Sequence, residues 1–551
     1  MGEVAGRLQR AREAYAEHDW PTAYSLLREE QEIGGLAPED LQVLGDAAWW
    51  LGLIREVLEI TEDCFDAFLG AGDVEQAALA ALENGFNWFM RGEPVIGSGW
   101  LSRARQLLDD LPEGFGHGLM VWMDASERLE TGDTDGALAA ARRLRDMAGH
   151  LEAPVLGCFG LAMEGLIEIR GGEVARGLGM LDEAMLPVVA GRVEPGWAGN
   201  LYCQMMSICH QLADVDRARH WTEVTSRFCE GFPSAVMFVG ICRVHRTQLL
   251  RTGGEWDLAR QQATDASVEL ADMNVEAVGE AHYELAEIHR LRGELTEARS
   301  ACEEARRRGR DPEPGHSLLL LAEDHPAEAV ESIRRVLSEV SDPLRRTRLL
   351  MAQVEIACAV GDERVADAAA QELDSLAATY RTAGFRAWAD HARGLARLRQ
   401  GREAEALEAL SSARGGYQAM GAVYDEAVAR SLLSLAHEAL GDASTASAEL
   451  NAATQTFELL RAEPPRRWST EPVGAVTPLP GGLTPREAEV LLAISAGSTN
   501  RQVAASLVIS EATVARHLAN IFAKIDVASR TAAAAWAHRN GLAQAGRRTR
   551  T

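Results

Sequence analysis

Residues 510–526, near the C-terminal end (SEATVARHLANIFAKID), include the side-chain types that read nucleic acid. Arginine bonds guanine or phosphate, asparagine bonds adenine, and alanine lets a helix approach the bases closely. At about 100° per residue, Arg516, Ala519 and Asn520 lie on one side of a helix through this stretch. Thr513, His517 and Lys524 lie along the flank of the same face. The pattern predicts a polar face that can enter a major groove.

The other side of this stretch predicts what holds such a helix in place. Val514, Leu518, Ile521 and Ile525 recur at helical spacing and form one apolar stripe, which must pack against a core. Ser510 is a favourable N-cap residue for the helix. An ordinary amphipathic surface helix has the same pattern, so this stretch alone leaves both interpretations open.

The neighbouring segments favour the nucleic-acid interpretation. Pro485 follows a threonine and predicts the start of a helix that runs to about residue 496. A short helix over 500–506 and a tight connection lead into 510–526, and a fourth helix is predicted over 529–540. This order of helices is the helix-turn-helix layout.

These segments resemble the LuxR-type (NarL/GerE) helix-turn-helix domain, through LTPREAEVL (483–491), TNRQVA (499–504), TVARH (513–517) and SRT (529–531). The resemblance implies a four-helix domain that binds double-stranded DNA and pairs as a homodimer through its last helix. It also places Thr499, Asn500, Arg501 and Ala515 at the DNA. The family often has a lysine where this chain has Ala515, so base preference is expected to depend more on Arg516.

Charge separates this end from the rest of the chain. The 551 residues carry a net charge of -27. From Leu483 onward there are nine Lys and Arg residues against four Asp and Glu residues, which gives this end +5 and leaves -32 for residues 1–482. An acidic body with a basic end implies that only the end meets nucleic acid.

Several chemistries lack their residues in this sequence. Lys524 is the single lysine, so no phosphate-binding P-loop can form. No nucleophile, metalloprotease or dinucleotide-binding motif occurs in a fitting context, so we predict no enzyme, no catalytic residue and no cofactor. Cysteines and histidines of 203–245 are spread over helix pairs, whereas zinc ligands usually come in close pairs, and we interpret them as core residues with no metal site.

The body repeats a turn signal at intervals near 40 residues. Small or turn-forming residues mark the turns, and five positions after each marker stands Ala or Gly, apart from Val57. A tight turn followed by a small residue lets two helices of a hairpin pack closely. The markers are His18, Gly52, Gly92, Gly132, Gly172, Ala213, Gly254, Gly293, Asp324, Gly361, Gly401 and Gly441.

This body resembles the tetratricopeptide family, with helices longer than those of its unit of about 34 residues. A generic alanine-rich helical array is the alternative, and both are α-solenoids. The predicted fold is therefore all-α: a tetratricopeptide-like α-solenoid followed by a four-helix LuxR-type domain. The predicted parts are the solenoid (1–462), a linker rich in proline and glycine (463–482), the DNA-binding domain (483–543) and a basic tail (544–551).

The concave surface of a solenoid commonly holds an effector or a protein partner. Trp49, Trp50, Trp88, Trp100 and Trp122 concentrate in the N-terminal third, where they build either the core or an effector pocket. No apolar run approaches the roughly 20 residues that span a bilayer, no signal-peptide core is present, and the cysteines are scattered. A cytoplasmic protein with no membrane segment is expected.

Together these observations predict a transcription regulator in which the helical repeats sense an effector or partner and the C-terminal domain binds promoter DNA. The alternative is an interaction scaffold whose C-terminal helices bind protein, and an enzyme is a more distant one. The operator, the effector and the direction of regulation do not follow from the sequence.

Overall fold

A computed structural model describes residues 2–232, 234–464, 485–495, 498–507, 514, 518, 521–522, 524–525, 527 and 529–539. All regular secondary structure within these ranges is α-helical, which confirms the all-α prediction. The chain divides into two units, Met1–Thr470 and Glu471–Thr551, and each is described by itself. Most of the predicted linker and the whole basic tail lie outside the described residues, so the four predicted parts stay a prediction.

The first unit begins with six pairs of antiparallel helices, which have 13 to 18 residues each. Their bounds are α1 Gly2–Ala16, α2 Trp20–Gly34, α3 Pro38–Trp50, α4 Ile54–Ala71, α5 Val74–Met90, α6 Pro94–Leu108, α7 Phe115–Glu130, α8 Thr134–His150, α9 Pro154–Arg170, α10 Val174–Val189, α11 Pro195–Gln211 and α12 Val215–Glu230.

Six further pairs complete this unit, and the second unit has three helices within its described residues. The bounds are α13 Val236–Thr252, α14 Trp256–Glu269, α15 Val275–Leu291, α16 Leu295–Arg307, α17 Gly315–Ala322, α18 Pro326–Glu339, α19 Pro343–Val360, α20 Glu363–Tyr380, α21 Ala383–Arg399, α22 Glu403–Met420, α23 Val423–Ala439, α24 Ala443–Leu460, α25 Pro485–Ser495, α26 Asn500–Leu507 and α27 Arg530–Arg539.

The turn inside each helix pair has one backbone conformation. All twelve predicted turn markers have a positive φ, from 50° at Ala213 to 93° at Gly172. An acidic residue often follows the marker and caps the next helix; Asp133, for example, accepts a hydrogen bond of 3.0 Å from the backbone N–H of Gly136. A left-handed residue followed by a capping residue ends one helix and begins the next, which explains why the chain reverses at the predicted turns.

The small residues five positions after the markers lie where the two helices of a pair touch. Every one of them is buried, and Ala137, Ala259 and Ala406 have no exposed surface. At Gly177 an added Cβ would press on the carbonyl oxygen of Gly165 in the partner helix. The helix-hairpin prediction and the tetratricopeptide-like solenoid are thus confirmed for the described part of the body.

Contacts between residues far apart in sequence show that the array coils on itself. Tyr380 donates a 3.0 Å hydrogen bond to the carbonyl oxygen of Arg170, 210 residues away. The Cβ of a residue replacing Gly52 would lie 3.1 Å from the side chains of Met273 and Val236. Such separations correspond to about five helix pairs per superhelical turn, with successive turns in contact.

We predict that Gly177→Ala destabilises the array whereas Gly179→Ala in the same helix does not. Residue 177 has no room for a methyl group, and overpacking of this kind costs about 1–3 kcal/mol. Nothing lies within 4 Å of a Cβ at residue 179, where alanine should stabilise α10 by about 0.5–1 kcal/mol. Thermal unfolding of the two variants checks this, and equal effects would contradict the close packing of α9 on α10.

Candidate functional site

The described part of the C-terminal unit has a small core to which each of its segments contributes. Val490, Leu491 and Ile494 of α25 and Val503 of α26 are buried in it, together with Ala533 and Ala537 of α27. The predicted stripe enters the same core, because Val514, Leu518, Ile521 and Ile525 are all buried. This confirms the prediction that these four residues form the buried side of the segment.

The turn before α26 is held by a reciprocal cap. The hydroxyl of Thr499 accepts a hydrogen bond of 3.3 Å from the backbone N–H of Gln502, and the side-chain oxygen of Gln502 accepts one of 2.8 Å from the backbone N–H of Thr499. This is a capping box, which fixes the start of a helix. Thr499 therefore positions α26, a role that the threonine and glutamine three residues apart could have indicated.

Arg530 ties the start of α27 to the same turn. Its guanidinium donates a hydrogen bond of 2.7 Å to the side-chain oxygen of Asn500 and another to the carbonyl oxygen of Ser498. Asn500 was predicted only as a DNA contact, and Arg530 only as a basic residue of the family motif. Both side chains hold the helix-turn-helix segments together, and no local sequence pattern indicated their pairing.

The remaining predicted contact residues fall into two groups. Arg501 and Lys524 are exposed, as a contact with DNA requires. The others, Thr513, Ala515, Arg516, His517, Ala519 and Asn520, lie outside the described residues.

The last helix contributes to the core of its own unit. The sequence of Ala532 to Ala535 with Trp536 predicts a small surface that allows close packing of a second chain, with Trp536 in the domain's own core as the alternative, and Ala533 is fully buried in the unit's own core. Trp536 is partly buried and packs against that core as well. Because residues four apart on a helix share a face, Ala533 and Ala537 point inward together. Ala532 and Ala534 are half-buried, and pairing of two chains through this helix stays a prediction.

Comparison with known proteins identifies this unit. Residues 482–537 match the family model described as GerE, "Bacterial regulatory proteins, luxR family". This segment is a LuxR-type domain. It is similar to the "Transcriptional regulatory protein LiaR" of Bacillus subtilis (48% identical over 60 residues) and to the "CsgBAC operon transcriptional regulatory protein" of Escherichia coli (50% over 58 residues).

Both relatives match the LuxR-type domain alone. The alignments cover 11% and 10% of this chain, and the chain spans 28% and 27% of the two relatives' lengths. Among solved structures, the chain is similar to one titled "Crystal Structure of the Yeast Tom70" (TM-score 0.33, 11% identity, 82% of this chain and 96% of that chain).

The inner surface of the array encloses a second candidate site, a cavity of about 2260 Å³. Most of its wall comes from the odd-numbered helices α1 to α15 and from α19, often through side chains three or four positions apart. Trp49, Trp50 and Trp122 are among the lining residues, whereas Trp88 and Trp100 are not. The five tryptophans therefore differ in their positions. Trp50 lines the cavity and also belongs to the core, where its ring stacks on that of Trp20 with the centroids 4.1 Å apart.

Three of the histidines and cysteines of 203–245 line this cavity: Cys203, His210 and His245. The rings of His210 and His245 stack at 5.6 Å, and burial lowers the pKa of both. Cys209 and Cys242 are buried. Within the described ranges, no three His, Cys, Asp or Glu side chains are placed to hold a metal ion.

No helix of the described chain has the length and apolar character that crossing a membrane requires.

We predict that Arg530→Met loosens the LuxR-type domain whereas Arg501→Met does not. The Arg530 variant loses a charge-assisted hydrogen bond to Asn500 and the bond to Ser498, at a cost of about 1–3 kcal/mol. Hydrogen–deuterium exchange of the full chain measures this as faster exchange of the α26 amides. Arg501 is exposed, so its variant should exchange like the wild type and serves as the control.

Proposed function

We propose that this protein is a DNA-binding transcription regulator, with the LuxR-type domain at promoter DNA and the helical array as the sensor of an effector or partner. The observation that carries the proposal is the match of residues 482–537 to the luxR family. The burial of Val514, Leu518, Ile521 and Ile525 supports it, because it matches the apolar stripe that the sequence predicts for the recognition helix. A cytoplasmic location and the absence of catalysis belong to the same proposal.

An interaction scaffold whose C-terminal helices bind protein is the alternative. The net charge of +5 from Leu483 onward favours DNA, since phosphate neutralisation supplies much of the affinity for nucleic acid. A mobility-shift assay with the full chain and random-sequence duplexes separates the two. Selection of a recurrent DNA sequence supports the regulator, and no retention at low salt supports the scaffold.

Base reading and phosphate binding should separate in two variants. Arg516→Ala should relax sequence preference, because one bidentate arginine contact discriminates bases by roughly 1–3 kcal/mol. Lys524→Ala should weaken binding to all sequences and lower the salt slope by about 1, as loss of one phosphate contact does. Affinities are measured over a range of salt on the selected sequence and on its mutants.

Arg364→Ala is the matched control for both variants, because it removes one positive charge from an exposed site on the array. It should change neither sequence preference nor salt slope. An Arg516 variant that keeps the full sequence preference would show that this arginine does not read bases.

We further propose that two copies bind DNA together through α27. The half-buried surface at Ala532 and Ala534 is where a second copy would pack, since Ala533 is used by the domain itself. Two half-sites about one helical turn apart and related by a two-fold axis are expected. Footprinting and sedimentation of the complex check this, and one protected half-site holding one chain would contradict it.

A further inference from the structure

One end of the inner cavity collects acidic side chains from different helices. Asp46 of α3, Glu83 of α5 and Glu194, which precedes α11, all line it. Asp46 accepts a hydrogen bond of 2.9 Å from the hydroxyl of Tyr15, and Glu194 caps α11 by accepting bonds from two backbone N–H groups. Glu83 accepts no hydrogen bond from the described residues, and its carboxylate is the one of the three that has no partner.

Asp46 and Glu83 have no compensating positive charge among the described residues. Burial and the nearby Asp46 and Glu194 raise the pKa of Glu83 to about 8. Burial, opposed by the hydrogen bond from Tyr15 and reinforced by Glu194, raises the pKa of Asp46 to about 6. Neither group has an Arg, Lys or His among the charges that act on it. Negative charge held in this way is stabilised by a cation that enters the cavity.

Aromatic rings stand one helical turn from these acids. Trp49 follows Asp46 on α3 and Phe86 follows Glu83 on α5, both in the cavity wall. Phe86 stacks with Trp122 at 6.0 Å, and Trp197 meets Trp122 edge-on at 6.5 Å. The faces of such rings attract organic cations, most strongly where a carboxylate is also near.

An unsatisfied amide in the same wall indicates a ligand independently of the charges. Asn87, one turn beyond Glu83 on α5, lines the cavity with 1% of its surface exposed. Its side-chain nitrogen has no hydrogen-bond partner among the described residues. A buried donor without a partner costs about 1–3 kcal/mol, which an acceptor atom on a ligand would recover.

We propose that the acidic end of the inner cavity binds a small organic cation, an alkylated ammonium compound with an apolar body and one hydrogen-bond acceptor. Asp46, Glu83 and Glu194 hold its charge, the rings cover its apolar surface, and Asn87 donates to its acceptor. Small-molecule sites enclose about 300–1,000 Å³, so this ligand occupies the acidic end rather than the whole 2260 Å³. The inference deepens the proposed function by naming the effector's chemical class.

Calorimetry of the full chain without DNA tests this binding. The probes are choline, tetramethylammonium and benzyltrimethylammonium, each paired with the neutral compound in which carbon replaces nitrogen. We expect at least one cation to bind at least tenfold more tightly than its neutral counterpart, with choline favoured over tetramethylammonium by its acceptor. If no probe binds below 10 mM, or each neutral counterpart binds as well as its cation, the proposal is overturned.

Two variants of one helix assign the site. Glu83→Gln should weaken cation binding at least tenfold, and Glu75→Gln, at an exposed position of α5, should leave it unchanged. Circular dichroism confirms that each variant is folded. Equal affinities for the two variants would place the cation elsewhere and overturn the proposal.

The pH dependence supplies a second readout. The probes keep their charge at all pH values, so affinity should rise between pH 6 and 9 as Glu83 loses its proton, and Glu83→Gln should flatten that rise. Asp46, Tyr15, Cys64 and Glu194 also face this group; raised pKa values keep Tyr15 and Cys64 protonated over this range. A flat profile in the wild type contradicts the assignment of Glu83. Because no DNA is present, failure here leaves the DNA-binding proposal untouched.

Discussion

The close approach of the two helices in each pair is the constraint on which the array depends. It requires a left-handed residue at the turn and a side chain no larger than a methyl group at most positions five residues later, as at Gly172 and Gly177. Repetition of this contact aligns the odd-numbered helices from α1 to α15 along one inner surface. The inner cavity, the burial of its acids and the placement of its aromatic rings all follow from that alignment.

The repeat spacing in the sequence predicts the helix pairs, because the contacts within one pair join residues that are close in sequence. Gly52 and Gly92 were located as turns from their spacing alone, and their φ values of 78° and 79° agree. That Gly52 packs against Met273 could not be predicted, since the rise and rotation per repeat depend on how every pair packs on the next. A small error per repeat changes which residues meet after five repeats.

The site residues also fall into two groups, those whose role the sequence predicts and those whose role only the fold shows. The apolar stripe at Val514 and Ile521 was predictable because burial leaves a periodic trace in the sequence. Thr499 was assigned to DNA although the glutamine three residues later marks a capping box, and its hydroxyl positions α26. Glu83 lies in the apolar run of α5, where an acid looks like an interruption; only the fold brings Asp46 and Glu194 to it.

The contact between successive superhelical turns has a mechanical consequence. Arg91 and Tyr380 donate to backbone carbonyl oxygens 181 and 210 residues away, and the backbone N–H of Glu463 donates to the carbonyl oxygen of Leu291 at 2.9 Å. The array is therefore a superhelix whose successive turns are in contact. Compression is blocked by turns that already touch, and extension must first break these polar contacts.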